Sequence, residues 1–152
     1  MKRTFILTLV VLMIMASLPF GTMAENNQSA NEERIYFEDG SYLVITVEST
    51  ETRSYTQTRY KNETYYDANG VIQWRITLMG IFTYNYSTAT CDHAEVSVTI
   101  YDSDWYVVSR SAYASGNKAA GTVVLGQRVL GVTIGESTHR VSLTCTPDGT
   151  VS

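Results

Sequence analysis

Polar and apolar residues alternate most strictly between Ile72 and Tyr84. Ile72, Trp74, Ile76, Leu78, Gly80, Phe82 and Tyr84 fall on even positions, and Gln73, Arg75, Thr77 and Thr83 on odd ones. A period of two sends successive side chains to opposite faces, so this stretch reads as a β-strand with one face for a core and one for water. A helix does not fit, because the apolar residues do not recur at spacings of three and four, and because Ile, Thr, Tyr and Phe suit a pleated surface. Gly80 predicts a bend or bulge within the strand.

The same reading extends in both directions. Ile35-Tyr36-Phe37 and Tyr42–Val47 flank Asp39-Gly40, a hairpin signal, and Leu43, Ile45 and Val47 share one face. Thr52–Tyr66 has strand composition without an apolar face, since Arg53, Arg59, Lys61 and Glu63 interleave with Tyr55, Tyr60, Tyr65 and Tyr66. Charges along a strand discourage pairing with another chain, so this segment is expected at a sheet edge, joined to Val71 through the turn Asp67-Ala68-Asn69-Gly70. Beyond Cys91 the pattern resumes with Ala94, Val96, Val98 and Ile100 inward against Glu95, Ser97, Thr99 and Tyr101 outward. Cys91 joins the inward set if Asp92-His93 holds a bulge.

Asp102-Ser103-Asp104 and Gly116-Asn117 are turn signals on either side of a strand Trp105–Ser115. Ala119–Ile134, interrupted by Gly121, Gly126 and Gly131, is expected as two short strands or one sharply bent one. The last strand, Arg140–Thr146, aims Val141, Leu143 and Cys145 at the core and ends at Pro147-Asp148-Gly149. Nowhere does a helix period coincide with caps, and the turn spacing suits an all-β antiparallel sandwich of about eight strands.

Composition adds a compartment. Lys2 and Arg3, an apolar run Phe5–Leu18, and small residues ending at Ala24 make Met1–Ala24 a cleaved secretory signal peptide rather than a membrane span. Glu25–Glu33 is then a flexible polar leader, and residues 34–152 form a single domain. Loss of Lys2 and Arg3 leaves nine basic against fifteen acidic residues, with the basic ones scattered singly. Such a chain lacks the cationic stripe that a nucleic-acid partner requires.

Export also places Cys91 and Cys145, the whole cysteine inventory, in an oxidising space, where an intramolecular disulfide is the expected state. Free thiols and intermolecular pairing are the alternatives. The loop closed by that bridge has about 55 residues, for which the chain-entropy model gives roughly 4 kcal/mol of stabilisation.

Candidate chemistry is sparse. Asp92-His93-Ala94-Glu95 is the densest titratable cluster, but two histidines in the whole chain are too few for a usual catalytic zinc. Gly135-Glu136-Ser137-Thr138-His139 lacks the second glycine and the strand-to-helix setting of a nucleophile elbow. Asp102 and Asp104 lack the later acidic ligand of a calcium loop. No catalytic residue, metal or cofactor is therefore assigned. The feature with functional colour is tyrosine on the polar strand: Tyr55, Arg59, Tyr60 and Tyr65 are the expected contacts for an extracellular protein or glycan. The expectation is a secreted, non-catalytic structural or interaction protein, and the alternative is a small secreted hydrolase with a site near His93 or His139.

The succession Trp74–Thr83, Ala89-Thr90-Cys91, Ser115–Ala119 and Val141–Thr150 resembles small secreted proteins of Gram-positive gut bacteria grouped as a domain of unknown function. That resemblance implies an exported bacterial protein in which both cysteines belong to the design, and it implies no activity.

Overall fold

The structure, a computed structural model, describes residues 31–50 and 55–152. The expected signal peptide Met1–Ala24, the leader as far as Ala30, and Arg53 lie outside the described residues. Among the described residues, eight strands follow one another without a helix: β1 (Asn31–Tyr36), β2 (Tyr42–Thr50), β3 (Thr56–Tyr66), β4 (Ile72–Tyr84), β5 (Ala89–Ile100), β6 (Trp105–Ser115), β7 (Lys118–Val129) and β8 (Val132–Thr144). Every pairing is antiparallel between sequence neighbours, giving a five-stranded sheet β1-β2-β3-β4-β5 and a three-stranded sheet β6-β7-β8. The protein is thus an all-β, sandwich-like domain. Its first strand begins at Asn31, earlier than the polar composition of the leader suggests.

The core forms where the two sheets face each other. Trp74, Ile76, Leu78 and Phe82 of β4 and Val96 of β5 pack against Ala119, Val123 and Leu125 of β7 and Val141, Leu143 and Cys145 at the end of β8. Burying a large apolar side chain contributes roughly 1.5–3 kcal/mol, so β4 is the main contributor from its sheet. Gly121 lets the sheets approach: a Cβ there would lie 3.3 Å from Leu78, Val96 and Val141. The expected irregularity near Asp92 is present, because Ile81 pairs with His93 and Phe82 with Cys91, leaving Asp92 as the extra residue.

Three expectations are corrected. β3 is not an edge: it is flanked by β2 and β4 along its length. Its register puts Gln57, Arg59, Lys61, Glu63 and Tyr65 beside Phe82, Gly80, Leu78, Ile76 and Trp74, on the inner face. The last strand is longer than expected, since one continuous β8 starts at Val132, and β7 runs unbroken through Gly121 and Gly126. Finally, Cys91 and Cys145 are free thiols rather than a disulfide. They nonetheless flank one turn: the Cys91 amide donates to the Gly116 carbonyl (2.7 Å) and the Cys145 amide to the Asn117 carbonyl (2.9 Å).

The sheets differ in width. β7 packs over β4 and β5, and β8 over β3 and β4, so no strand of the smaller sheet covers β1 or β2. On the free edge of β8 the chain doubles back: Thr144 and Ser152 exchange amide-to-carbonyl bonds of 2.8 and 3.1 Å, and Cys145 bridges Val151.

Candidate interaction surface

The four tyrosine-strand candidates are not brought together. Tyr65 stacks on Trp74 at 5.4 Å and meets Trp105 edge-on at 5.7 Å, so it is part of the inner aromatic packing. Tyr60 lies on the outer face between Glu48 and Met79. Tyr55 stands at one end of the sandwich, edge-on to Tyr84 and Tyr86 at 6.2 Å each. Arg59 points inward, and its Nη1 is buried without a hydrogen-bond partner among the described residues. The outer face of this sheet is tied by its own polar contacts, with Thr77 donating to Asn62 (2.7 Å) and the Arg75 Nε to Thr64 (3.0 Å).

The histidines part company too. His93 is exposed at the β5 bulge. His139 lies on the inner face of β8, half-buried, with its ring 4.6 Å from that of Trp74 and its Nε2 3.0 Å from the Ser137 hydroxyl. Burial pushes the imidazole below its ordinary value, which favours the neutral form. Among the described residues no carboxylate bonds the other ring nitrogen, and no three His, Cys, Asp or Glu side chains are placed to share a metal ion. A shallow cleft on the outer face of the smaller sheet, lined by Tyr113, Lys118, Arg140 and Ser142 among others, contains neither histidine.

What sequence reasoning missed is the β7–β8 hairpin. Val129 pairs with Val132 around a two-residue loop, Leu130-Gly131, whose φ angles of 51° and 80° define a type I′ turn. That turn is ordinarily built from Asn, Asp or Gly, because a positive φ drives Cβ against the backbone. Here a leucine takes the first position, and it is 97 % exposed. Val129 (45 %), Val132 (66 %) and Ile134 (58 %) are exposed beside it. β6 pairs with β7 only as far as Gln127, so the segment from Arg128 to Ile134, exposed throughout, extends past the rest of its sheet as a short two-stranded ribbon.

The ribbon has a firm base. The Arg128 amide donates to the Asp104 carbonyl (2.7 Å), and the Arg128 guanidinium sits 4.2 Å from the centre of the Tyr106 ring. The Tyr106 hydroxyl is 3.3 Å from that of Thr133. The Tyr106 ring lies so close over Gly126 that a Cβ there would be 2.3 Å from it. The apolar tip is therefore carried on a packed support.

A second surface, which no strand of the smaller sheet covers, lies beside β8. Leu43, Ile45 and Val47 share the inner face with Tyr65, Glu63 and Lys61, by register, and Ile35 continues it on β1 at 40 % exposure. Glu63 is buried at 8 % exposure, and that burial pushes its carboxyl above the ordinary value, with Lys61 partly opposing. The Lys61 ammonium reaches the Ser142 carbonyl on the free edge of β8 (3.4 Å). No protein-family model, curated protein or solved structure matches the chain.

Proposed function

We propose that the protein acts outside the cytoplasm as a non-catalytic interaction module that engages a protein partner through the Val129–Ile134 hairpin. The observation that carries this reading is Leu130. A leucine in the left-handed region costs on the order of 1–2 kcal/mol, and at 97 % exposure it returns nothing to the core. A residue that opposes folding locally, with no packing role, is best accounted for by what it touches in a complex. The partner class follows from the side chains: Val129, Leu130, Val132 and Ile134 are aliphatic, whereas a glycan calls for an aromatic face to stack upon. Export is supported by the basic start and apolar run of Met1–Ala24.

A photo-crosslinking residue at position 130, compared with one at Thr99 on the exposed face of β5, tests the reading in the secreted protein. Protein adducts specific to position 130 are expected; equal labelling at both positions, or none, removes the hairpin as the binding element.

One observation favours a hydrolytic alternative, the 3.0 Å contact of Ser137 and His139 with a neutral imidazole. The pair lies against Trp74 without an orienting carboxylate among the described residues, and the interaction reading explains more of the surface.

A further inference from the structure

The hairpin and the uncovered face of β1 and β2 complement each other. The larger sheet has five strands and the smaller three, a shortfall of two, and the projecting hairpin is a ribbon two strands wide. Each carries apolar residues: the ribbon presents Leu130, Val132 and Ile134, and the face holds Ile35, exposed, beside the half-buried Leu43, Ile45 and Val47. Neither can satisfy the other within one molecule, because the ribbon continues β7 and β8 along their own axis past Asp104, whereas the open face lies to the side of β8.

We propose that the hairpin of one molecule occupies the open β1–β2 face of a second copy, alongside its β8. This rests on the reading that the hairpin is a binding element and names its partner. The edge it meets already accepts a strand, since Thr144 pairs there with Ser152. In an antiparallel strand, alternate residues turn both amide and carbonyl to the same side, so Ser142, Arg140 and Thr138 offer the next bonding groups along that edge. Among the described residues they are met by Lys61 alone, on the Ser142 carbonyl. Charges suit the contact, with Arg128 and Glu136 at the base of the ribbon and Glu33 and Lys61 on the face.

Tip and face are different surfaces, so the contact is heterologous and repeats head to tail, into open chains or a ring. Ribbon pairing at a sheet edge with apolar side chains seated beneath is an established mode of strand recognition. Lys61 then acts as a guard that the incoming ribbon displaces, which is how a long free edge is kept from indiscriminate pairing.

Light scattering or sedimentation of the secreted protein over a wide concentration range tests this with two variants. Leu130→Asn/Ile134→Thr removes the tip, and Ile45→Lys blocks the face; Ile35→Lys, at the exposed rim, replaces the latter should it fail to fold. The parent protein is expected to exceed dimer mass as concentration rises, and each variant to stay monomeric alone. An equimolar mixture of the two should give a heterodimer and nothing larger, because only one competent tip and one competent face remain. A parent protein that stays monomeric while position 130 crosslinks to some other protein overturns the self-assembly and leaves the hairpin reading standing. Absence of any position-130 adduct removes both, and a tip variant that still assembles, or a mixture without heterodimer, overturns the proposed contact.

Discussion

Replacing Leu130 by Asn should make the domain more stable. The leucine holds φ at 51° in a type I′ turn, where its Cβ meets the backbone unfavourably. That conformation costs an ordinary L-residue about 1–2 kcal/mol, and asparagine, which enters it readily, avoids a large part of this. The opposing term, lost packing, is close to zero because the side chain is 97 % exposed. The net expectation is a gain of about 1 kcal/mol, or roughly 4 °C in thermal midpoint for a domain of this size. Leu130→Ala separates conformation from hydrophobicity: it removes the apolar side chain but keeps a Cβ at positive φ, so it should give little of that gain. Urea unfolding followed by the fluorescence of Trp74 and Trp105, both in the aromatic packing between the sheets, reads the difference directly. The measurement belongs at low protein concentration, with a tenfold dilution leaving the midpoint unchanged, because any self-association would stabilise the parent by mass action. A Leu130→Asn protein no more stable than its parent, or less so, would refute the reasoning. The leucine would then be supporting the fold, and its exposure would carry no functional meaning.

How much of this was legible in the sequence depends on what alternation can encode. The period of two in Ile72–Tyr84 assigns faces, and the shift of parity between Cys91 and Ala94 locates the bulge at Asp92, because both depend on local geometry alone. Alternation does not say whether a second sheet lies over a given face. Arg59, Lys61 and Glu63 read as solvent-facing edge charges, whereas they lie on the inner face of a central strand, near the boundary where β8 ends and open face begins. The hairpin escaped for a different reason. Its turn carries none of the Asn-Gly or Asp-Gly chemistry that marks such loops, and Leu130 extends the aliphatic run through it, so Ala119–Ile134 reads as two short strands or one sharply bent one with no turn placed at Leu130-Gly131. The signal was present in another form: Val129, Leu130, Val132 and Ile134 supply more aliphatic surface around Gly131 than alternation can send to one core. Tyr65 was identified as a binding residue on composition, but composition cannot distinguish a tyrosine facing a partner from one stacked on Trp74.

The remaining predictions concern groups whose burial or placement conflicts with their chemistry. Glu63→Gln should raise the thermal midpoint at pH 7. Burial holds the folded carboxyl above its ordinary value, so the stability it contributes is present below the unfolded value near pH 4.3 and is lost as pH rises through the folded one. The advantage of the variant should therefore vanish in melts below about pH 4, and a constant difference across pH would place the effect in packing instead. The last prediction is that oxidation on export joins Cys91 and Cys145, which are free thiols in this structure. The two backbones are anchored to adjacent carbonyls of one turn, Gly116 and Asn117. Burial pushes both thiols above their ordinary value, so neither is suited to act as a free nucleophile or a readily formed thiolate. A pair placed together and made individually unreactive is what a structural bridge needs, with each cysteine held at one side of the turn that joins β6 to β7. Secreted protein should gain about 2 Da on reduction and expose two alkylatable thiols only then. Reduction should lower the thermal midpoint by on the order of 15 °C, which corresponds to the roughly 4 kcal/mol expected for a loop of about 55 residues. Two thiols that alkylate in the unreduced, folded protein would leave the turn held by its backbone bonds alone, and would make Cys145 one more buried apolar side chain of β8.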